Sequence, residues 1–270
     1  MIEPIGPRAR RGPVVLVRVG DEVSPAAATF AARAARHTRV DLRVSHTWAS
    51  SVTTARELDA TVIVVSALPD RWVPRRIAAR RTSWLVARTG CAVVSVSPTL
   101  SVLPRICVAA MDFSAASIRA AQMALLVLQD CGMLVLVHVR PAHDLSSAQH
   151  SARSAGTSDD IAVRFKRLRA ELGECAPPGT VIDTQMESGE TVGQVLSVAR
   201  EVEADLVAVG VHSARVRNRI VDFGTAARTL RRAPCSVLAS PVARVTRAFR
   251  GDGSSRYWAT APEWPESTAP

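Results

Sequence analysis

Short apolar runs recur along the chain, and longer stretches with apolar residues at helical spacing separate most of them. PVVLVRV (13–19), LRVSHTW (42–48), ATVIVVSA (60–67) and CAVVSVSP (91–98) are rich in β-branched residues, as strands are. RICVAA (105–110), LVLVHVR (134–140), TVIDTQME (180–187), DLVAVGV (205–211) and CSVLASP (235–241) repeat the pattern. The intervening segments are alanine-rich or amphipathic. In SPAAATFAARAA (24–35), Ser24 is a good helix cap and Pro25 a good first helical residue. Strands alternating with helical segments predict parallel pairing through right-handed crossovers, an open α/β sheet of Rossmann-like type.

The pattern also repeats on a larger scale. ELDATVIVVSA (57–67) aligns with EVEADLVAVGV (201–211) at an offset of 144, and LVARTGCAVVSVSP (85–98) aligns with TLRRAPCSVLASPV (229–242) at the same offset. Upstream, PVVLVRVGDEVSPAAATFAARAA (13–35) aligns with RICVAAMDFSAASIRAAQMALL (105–126) at an offset near 91. The change of offset gives the second copy about 53 residues that the first lacks. They comprise a polar loop (141–160), a helix (161–175) and a strand (180–187), one αβ crossover. The expected organisation is a basic N-terminus (1–12), a shortened α/β unit (13–100), a complete unit (105–241) and a disordered tail (242–270). The two units are expected to pair as halves of a pseudo-dimer, and a further homodimer is left open.

Composition narrows the function. Nearly half the residues are apolar, so a sizeable core can form, yet no apolar run reaches membrane-spanning length. MALLVLQDCGMLVLVHV (123–139) is broken by Gln129, Asp130 and Gly132, and no signal segment opens the chain, so the expected location is cytoplasmic with no membrane partner. The net charge of +10 is almost all arginine, Lys166 being the one lysine, and it is spread along the chain with little aromatic interleaving. Arginine in place of lysine fits a GC-rich genome better than a nucleic-acid surface. Five widely spaced cysteines without a CxxC pair read as reduced, buried thiols.

In an open parallel sheet, ligands collect at the carboxyl ends of the strands where the order of connection reverses. Three such ends carry suitable groups: Met111-Asp112-Phe113-Ser114, His138-Val139 and Gly210. Gly210 would let backbone approach a ligand, and Gly224-Thr225 opens a helix whose free amides favour phosphate. Asp112 can equally cap the helix that follows it.

The second unit resembles the universal stress protein family. The supporting segments are VAAMDFSAAS (108–117), LVLVHV (134–139), Gly189, EADLVAVGVHS (203–213) and GTAARTLRRAPCSVLASP (224–241). The first unit is similar to the same family in shortened form, so the resemblance implies a tandem protein of this type. Its nucleotide-binding members hold ATP with glycine, two residues, glycine, nine residues, glycine, then serine or threonine. By that resemblance Asp112 and Val139 would meet the adenine and ribose, while Gly210, Ser213, Gly224 and Thr225 would meet the ribose and phosphates. His212, beside Gly210, is kept as a further ligand contact. The cofactor implied is ATP, with or without Mg²⁺.

Two departures weaken the pattern: Ser213 stands at the second glycine, and ten residues rather than nine separate it from Gly224. Arg215, Arg217 and Arg219 could supply phosphate contacts in that loop. In the first unit Ser66, Pro69, Arg80 and Arg81 occupy the places of Gly210, Ser213, Gly224 and Thr225, so no nucleotide is expected there. GETVG (189–193) mimics a nucleophile elbow but is better explained as a helix cap, and His138 as a satisfied strand residue. The histidines show no metal spacing, and no carboxylate pair or general base is evident, so an enzyme is not expected. The leading expectation is a cytoplasmic stress-response sensor or adaptor for an unknown protein partner. There, a bound nucleotide would order the 211–223 loop. The alternative is a nucleotide-free interaction module, and a nucleic-acid binder is weakest.

Overall fold

Each apolar run becomes a strand, nine in all among the described residues. The computed structural model describes residues 12–17, 24–67, 75–100, 102–140, 158–211 and 224–242. In chain order the elements are β1 (Val14–Val17), α1 (Pro25–Thr38), β2 (Leu42–Ser45), α2 (Trp48–Glu57), β3 (Val62–Ser66), α3 (Arg75–Thr89) and β4 (Ala92–Val96). Then follow β5 (Ile106–Ala110), α4 (Ala115–Val127), β6 (Met133–Arg140), α5 (Ser158–Gly173) and β7 (Val181–Ser188). The last four are α6 (Thr191–Glu201), β8 (Leu206–Val211), α7 (Gly224–Arg232) and β9 (Ser236–Pro241).

All nine strands join one sheet in the order β2-β1-β3-β4-β9-β8-β5-β6-β7. Every neighbouring pair is parallel except β4 and β9, which are antiparallel. The expected open, mostly parallel sheet is therefore present. Strands β5 to β9 lie in the order β7-β6-β5-β8-β9, with connections running outward from β5 to β7 and then returning to β8. That reversal puts the switch point between β5 and β8.

Residue alternation along the strands divides the core into two. One face of the sheet carries α1, α4 and α5, through residues such as Phe30, Ala120, Phe165 and Leu172, over Val64, Val94, Leu134 and Leu238. The other carries α2, α3, α6 and α7, through Ala55, Leu85, Leu196 and Ala226, over Ile63, Val93, Val137 and Val207. Both apolar clusters run unbroken across the β4–β9 seam, because a strand buried on both faces presents apolar side chains to each.

The seam has a telling register: Val93 lies opposite Ala239, Val94 opposite Leu238, and Ser95 opposite Val237. At the 144-residue offset Val94 and Leu238 are the same position, and the flanking pairs exchange. This is the self-complementary register of a two-fold contact. The helix pairs that meet near it, α1 with α4 and α3 with α7, are also of matched type. The chain between β2 and α2 is only His46-Thr47, whereas β6 and α6 are separated by α5 and β7.

Some local expectations shift. The additional helix begins at Ser158, inside the stretch expected to be loop. Ser24 is the residue before α1, with Pro25 in the first turn, but its side chain makes no capping hydrogen bond. The five cysteines are free; Cys107 is buried as expected, whereas Cys131 is exposed, in the left-handed turn between α4 and β6. The expected tail (apart from Val242) and N-terminus (apart from Gly12) lie outside the described residues.

Candidate functional site

A parallel αβ arrangement sends the carboxyl ends of the strands and the amino ends of the following helices to one edge. On that edge, Asp112 follows β5, Val139 lies near the end of β6, Gly210 lies near the end of β8, and Gly224 starts α7. β8 and β5 are neighbours, and so are β5 and β6, so these positions flank the switch point. His212 and Ser213, with Arg215, Arg217, Arg219 and Pro69, lie outside the described residues.

Asp112 is exposed and, instead of capping the helix itself, holds the residue that does. Its Oδ1 accepts from the Ser114 amide at 2.9 Å and from the Ser114 hydroxyl at 2.5 Å. Ser114 is the N-cap of α4 and accepts from the Ser117 amide at 3.2 Å. The turn forces Phe113 to φ 60°, a left-handed conformation costly for an aromatic residue. Burial offsets this: the Phe113 ring packs 5.0 Å from Phe165 and 5.2 Å from His138, with the Arg164 guanidinium 5.8 Å from its centroid. His138 Nδ1 is 2.8 Å from the Met111 carbonyl, which makes it the satisfied strand residue expected.

Val139 points its side chain into the core beneath α6, so any ligand contact from this residue runs through its backbone. Gly210 has a reason that the sequence did not disclose. A Cβ there would lie 2.6 Å from the Ser117 amide nitrogen and 2.7 Å from the Ala116 carbonyl carbon. The glycine lets the first turn of α4 close against β8. Gly224 is the opposite case: its φ of +45° favours glycine, while a Cβ would meet nothing within 4 Å among the described residues. Gly224 is exposed at the start of α7, and Thr225 follows it half-buried.

Glu190 is a residue that motif reasoning passed over. It is the N-cap of α6, accepting from the Gly193 amide at 2.6 Å and the Val192 amide at 3.2 Å, so GETVG is a helix start. Its carboxylate also reaches α7, lying 3.2 Å from Arg228 and 3.5 Å from Arg232. Desolvation alone would raise its pKa, but the two amides and then the two guanidiniums outweigh it and hold Glu190 below the usual carboxylate range. The legible signal was an acid just before a helical apolar run, with two arginines spaced i, i+4 downstream.

In the first half, Ser66 ends β3 and Arg81 sits on α3, where its guanidinium lies 5.6 Å from the centroid of the Trp48 ring. The position matching Thr225 is thus taken up by a cation–π contact, and Arg80 beside it is exposed. Asp205, the acid that leads β8, lies at the far edge of the sheet. Its Oδ2 accepts from the Arg105 and Ile106 amides at 2.7 and 3.1 Å, tying the start of β5 to β8.

Residues 104–241 match the family model for the universal stress protein family. The chain belongs to the universal stress protein family. Solved structures agree on the fold. A universal stress protein from Archaeoglobus fulgidus DSM 4304 is 15% identical, with TM-score 0.54 over 85% of this chain and 86% of that one. A putative universal stress protein from Pseudomonas aeruginosa UCBPP-PA14 is also 15% identical, with TM-score 0.52 over 85% and 93%. A universal stress protein in complex with cAMP overlaps 51% of this chain and 97% of its own, at 18% identity and TM-score 0.39. No curated protein matches the chain in sequence. The open α/β sheet described above is thus the Rossmann-like sheet of universal stress proteins. Among the described residues no helix is long and apolar enough to cross a membrane.

Proposed function

We propose that this universal stress protein is a cytoplasmic stress-response sensor or adaptor that binds one adenine nucleotide, ATP, at the switch point between β5 and β8. The observation that carries this reading is the glycine start of α7 beside the switch point. Gly224 has the backbone that glycine favours, and among the described residues nothing lies within 4 Å of where its Cβ would be. Amides at a helix start, backed by the helix dipole, suit a phosphate, and Thr225 adds a hydroxyl. Asp112 and the Val139 backbone would face the adenine and ribose, and Gly210, His212 and Ser213 would complete the site. ATP, with or without Mg²⁺, would hold residues 211–223 in one arrangement and so change the surface offered to a protein partner. The reading includes no catalytic step.

The domain arrangement belongs to the same proposal. Residues 13–100 would be a shortened copy of 105–241, joined to it as a pseudo-dimer, with a basic N-terminus (1–12) and a tail (242–270) outside them. The self-complementary register around Val94 and Leu238 supports that view. The Arg81–Trp48 contact supports a first half without nucleotide.

Isothermal titration with ATP and AMP, with and without Mg²⁺, tests the proposal beside a Gly224→Glu variant. Saturable binding near one per chain, abolished by Gly224→Glu, is the expected result. No heat at millimolar ATP would overturn it. A second reading, a nucleotide-free interaction module, is favoured by Gly210, since helix packing already accounts for that glycine. No heat from either protein is the outcome it predicts.

A further inference from the structure

The two outer edges of the sheet differ in chemistry, and they match. β2 pairs only with β1, and β7 only with β6, so each leaves one row of backbone donors and acceptors without a strand partner among the described residues. Four of the eight exposed large hydrophobics among those residues lie on these edges: Leu42 at 36% and Val44 at 48% on β2, Val181 at 57% and Met186 at 41% on β7. In the other half the counterpart of β2 is β6, whose Leu134 and Leu136 are buried with α5 in their cluster. Among the described residues β2 has no such cover.

Register fixes which face each side chain takes. Leu42 and Val44 lie opposite Val14 and Leu16, on the face that carries α1, α4 and α5; Arg43 lies opposite Val15, on the other. On β7, Ile182, Thr184 and Met186 lie opposite Leu134, Leu136 and His138, on the α5 face. Asp183 and Glu187 lie opposite Val135 and Val139, on the other. One face is therefore mainly apolar on both edges, while the second carries Arg43 on β2 and, on β7, Asp183 and Glu187 with Val181 at the start of the strand.

We propose that the β2 edge of one copy receives the β7 edge of a second copy, extending the sheet head to tail. The antiparallel β4–β9 seam makes β7 run opposite to β2 within a chain, so a second copy set beside the first in the same orientation gives an antiparallel β2–β7 contact. Its Met186 and Ile182 then join Leu42 and Val44, and its Asp183 and Glu187 face Arg43. The second copy also brings α5 to the place where the first half has no equivalent helix. Charge selects this mode over a two-fold contact. β2 against β2 opposes Arg43 with Arg43, β7 against β7 opposes acids with acids, and like charges facing across strands are unfavourable. Arg43 holds an in-chain partner, Asp41 at 3.4 Å, but both are largely exposed and the pair is readily exchanged. Because the joined edges are different, the association is open-ended.

Sedimentation velocity on the full chain, over a concentration series at low and high salt, tests this. The expected result is a mass that rises with concentration and falls with salt. Arg43→Glu alone and the pair Asp183→Arg with Glu187→Arg alone should each remain monomeric, with unchanged circular dichroism because all three positions lie at a strand edge. Mixing the two in equal amounts should restore association. A wild type that stays monomeric at every concentration overturns the proposal. So does an association that ignores the β7 variant, or a mixture that stays monomeric.

Discussion

Gly210→Ala separates the two explanations for that glycine. The added methyl would sit 2.6 and 2.7 Å from backbone atoms of Ser117 and Ala116, and 3.0 Å from the Ala116 side chain. None of these can swing aside. The first turn of α4 is held by the Ser114 cap, and Ala116, Ala120, Ala121 and Ala124 are buried behind it. Either β8 or α4 has to move, an overpacking strain of about 1–3 kcal/mol. The substitution also restricts the unfolded chain, which offsets about 0.4–1 kcal/mol of that. The net expectation is a loss of roughly 1–2 kcal/mol, or about 2–8 °C in Tm for a protein of this size. Gly173→Ala is the control: nothing lies within 4 Å of the new atom, and the residue ends a helix, so a neutral or positive change is expected. Urea unfolding of both variants without nucleotide makes the measurement. A Gly210→Ala protein as stable as wild type, yet unable to bind ATP, would refute the packing argument and return the glycine to the ligand.

Three further outcomes follow from the geometry. Glu190 has a depressed folded pKa, so its contribution is complete above its unfolded value and is lost as pH falls through the folded one; Glu190→Gln should flatten that acid limb in a pH series of thermal melts. Leu238→Ala empties a fully buried position at the β4–β9 seam and should cost about 2–5 kcal/mol in chemical denaturation, a loss shared by both halves if they unfold together. Burial raises Cys107 well above the usual thiol range and Cys235 to about 11, whereas Cys131 is exposed. At pH 8 a thiol reagent should therefore modify Cys131 well before either of those two in the native protein, and Cys131→Ser should remove that early phase.

Much of the candidate site's local structure was readable because it is local. Asp112 beside Ser114, a strand ending near Gly210, and Gly224-Thr225 opening a helix are patterns within a few residues. Their local geometry follows from turn and cap chemistry. Glu190 was harder, since its second role depends on α7 passing within 3.2–3.5 Å, from residues about forty positions away. The reason for Gly210 was not readable, because the atoms that exclude a Cβ belong to a helix nearly a hundred residues earlier.

By itself, the sequence determined the alternation of strands and helices and the family. Those depend on residue period, on capping and turn residues, and on motif order, all carried along the chain. Only the tertiary structure decided that nine strands make one sheet, that β4 and β9 meet antiparallel in a self-complementary register, and that β2 and β7 are left as its two edges. Strand neighbours are chosen by how two buried faces close over each other. Apolar runs that are buried on both sides carry no mark of which partner they will take.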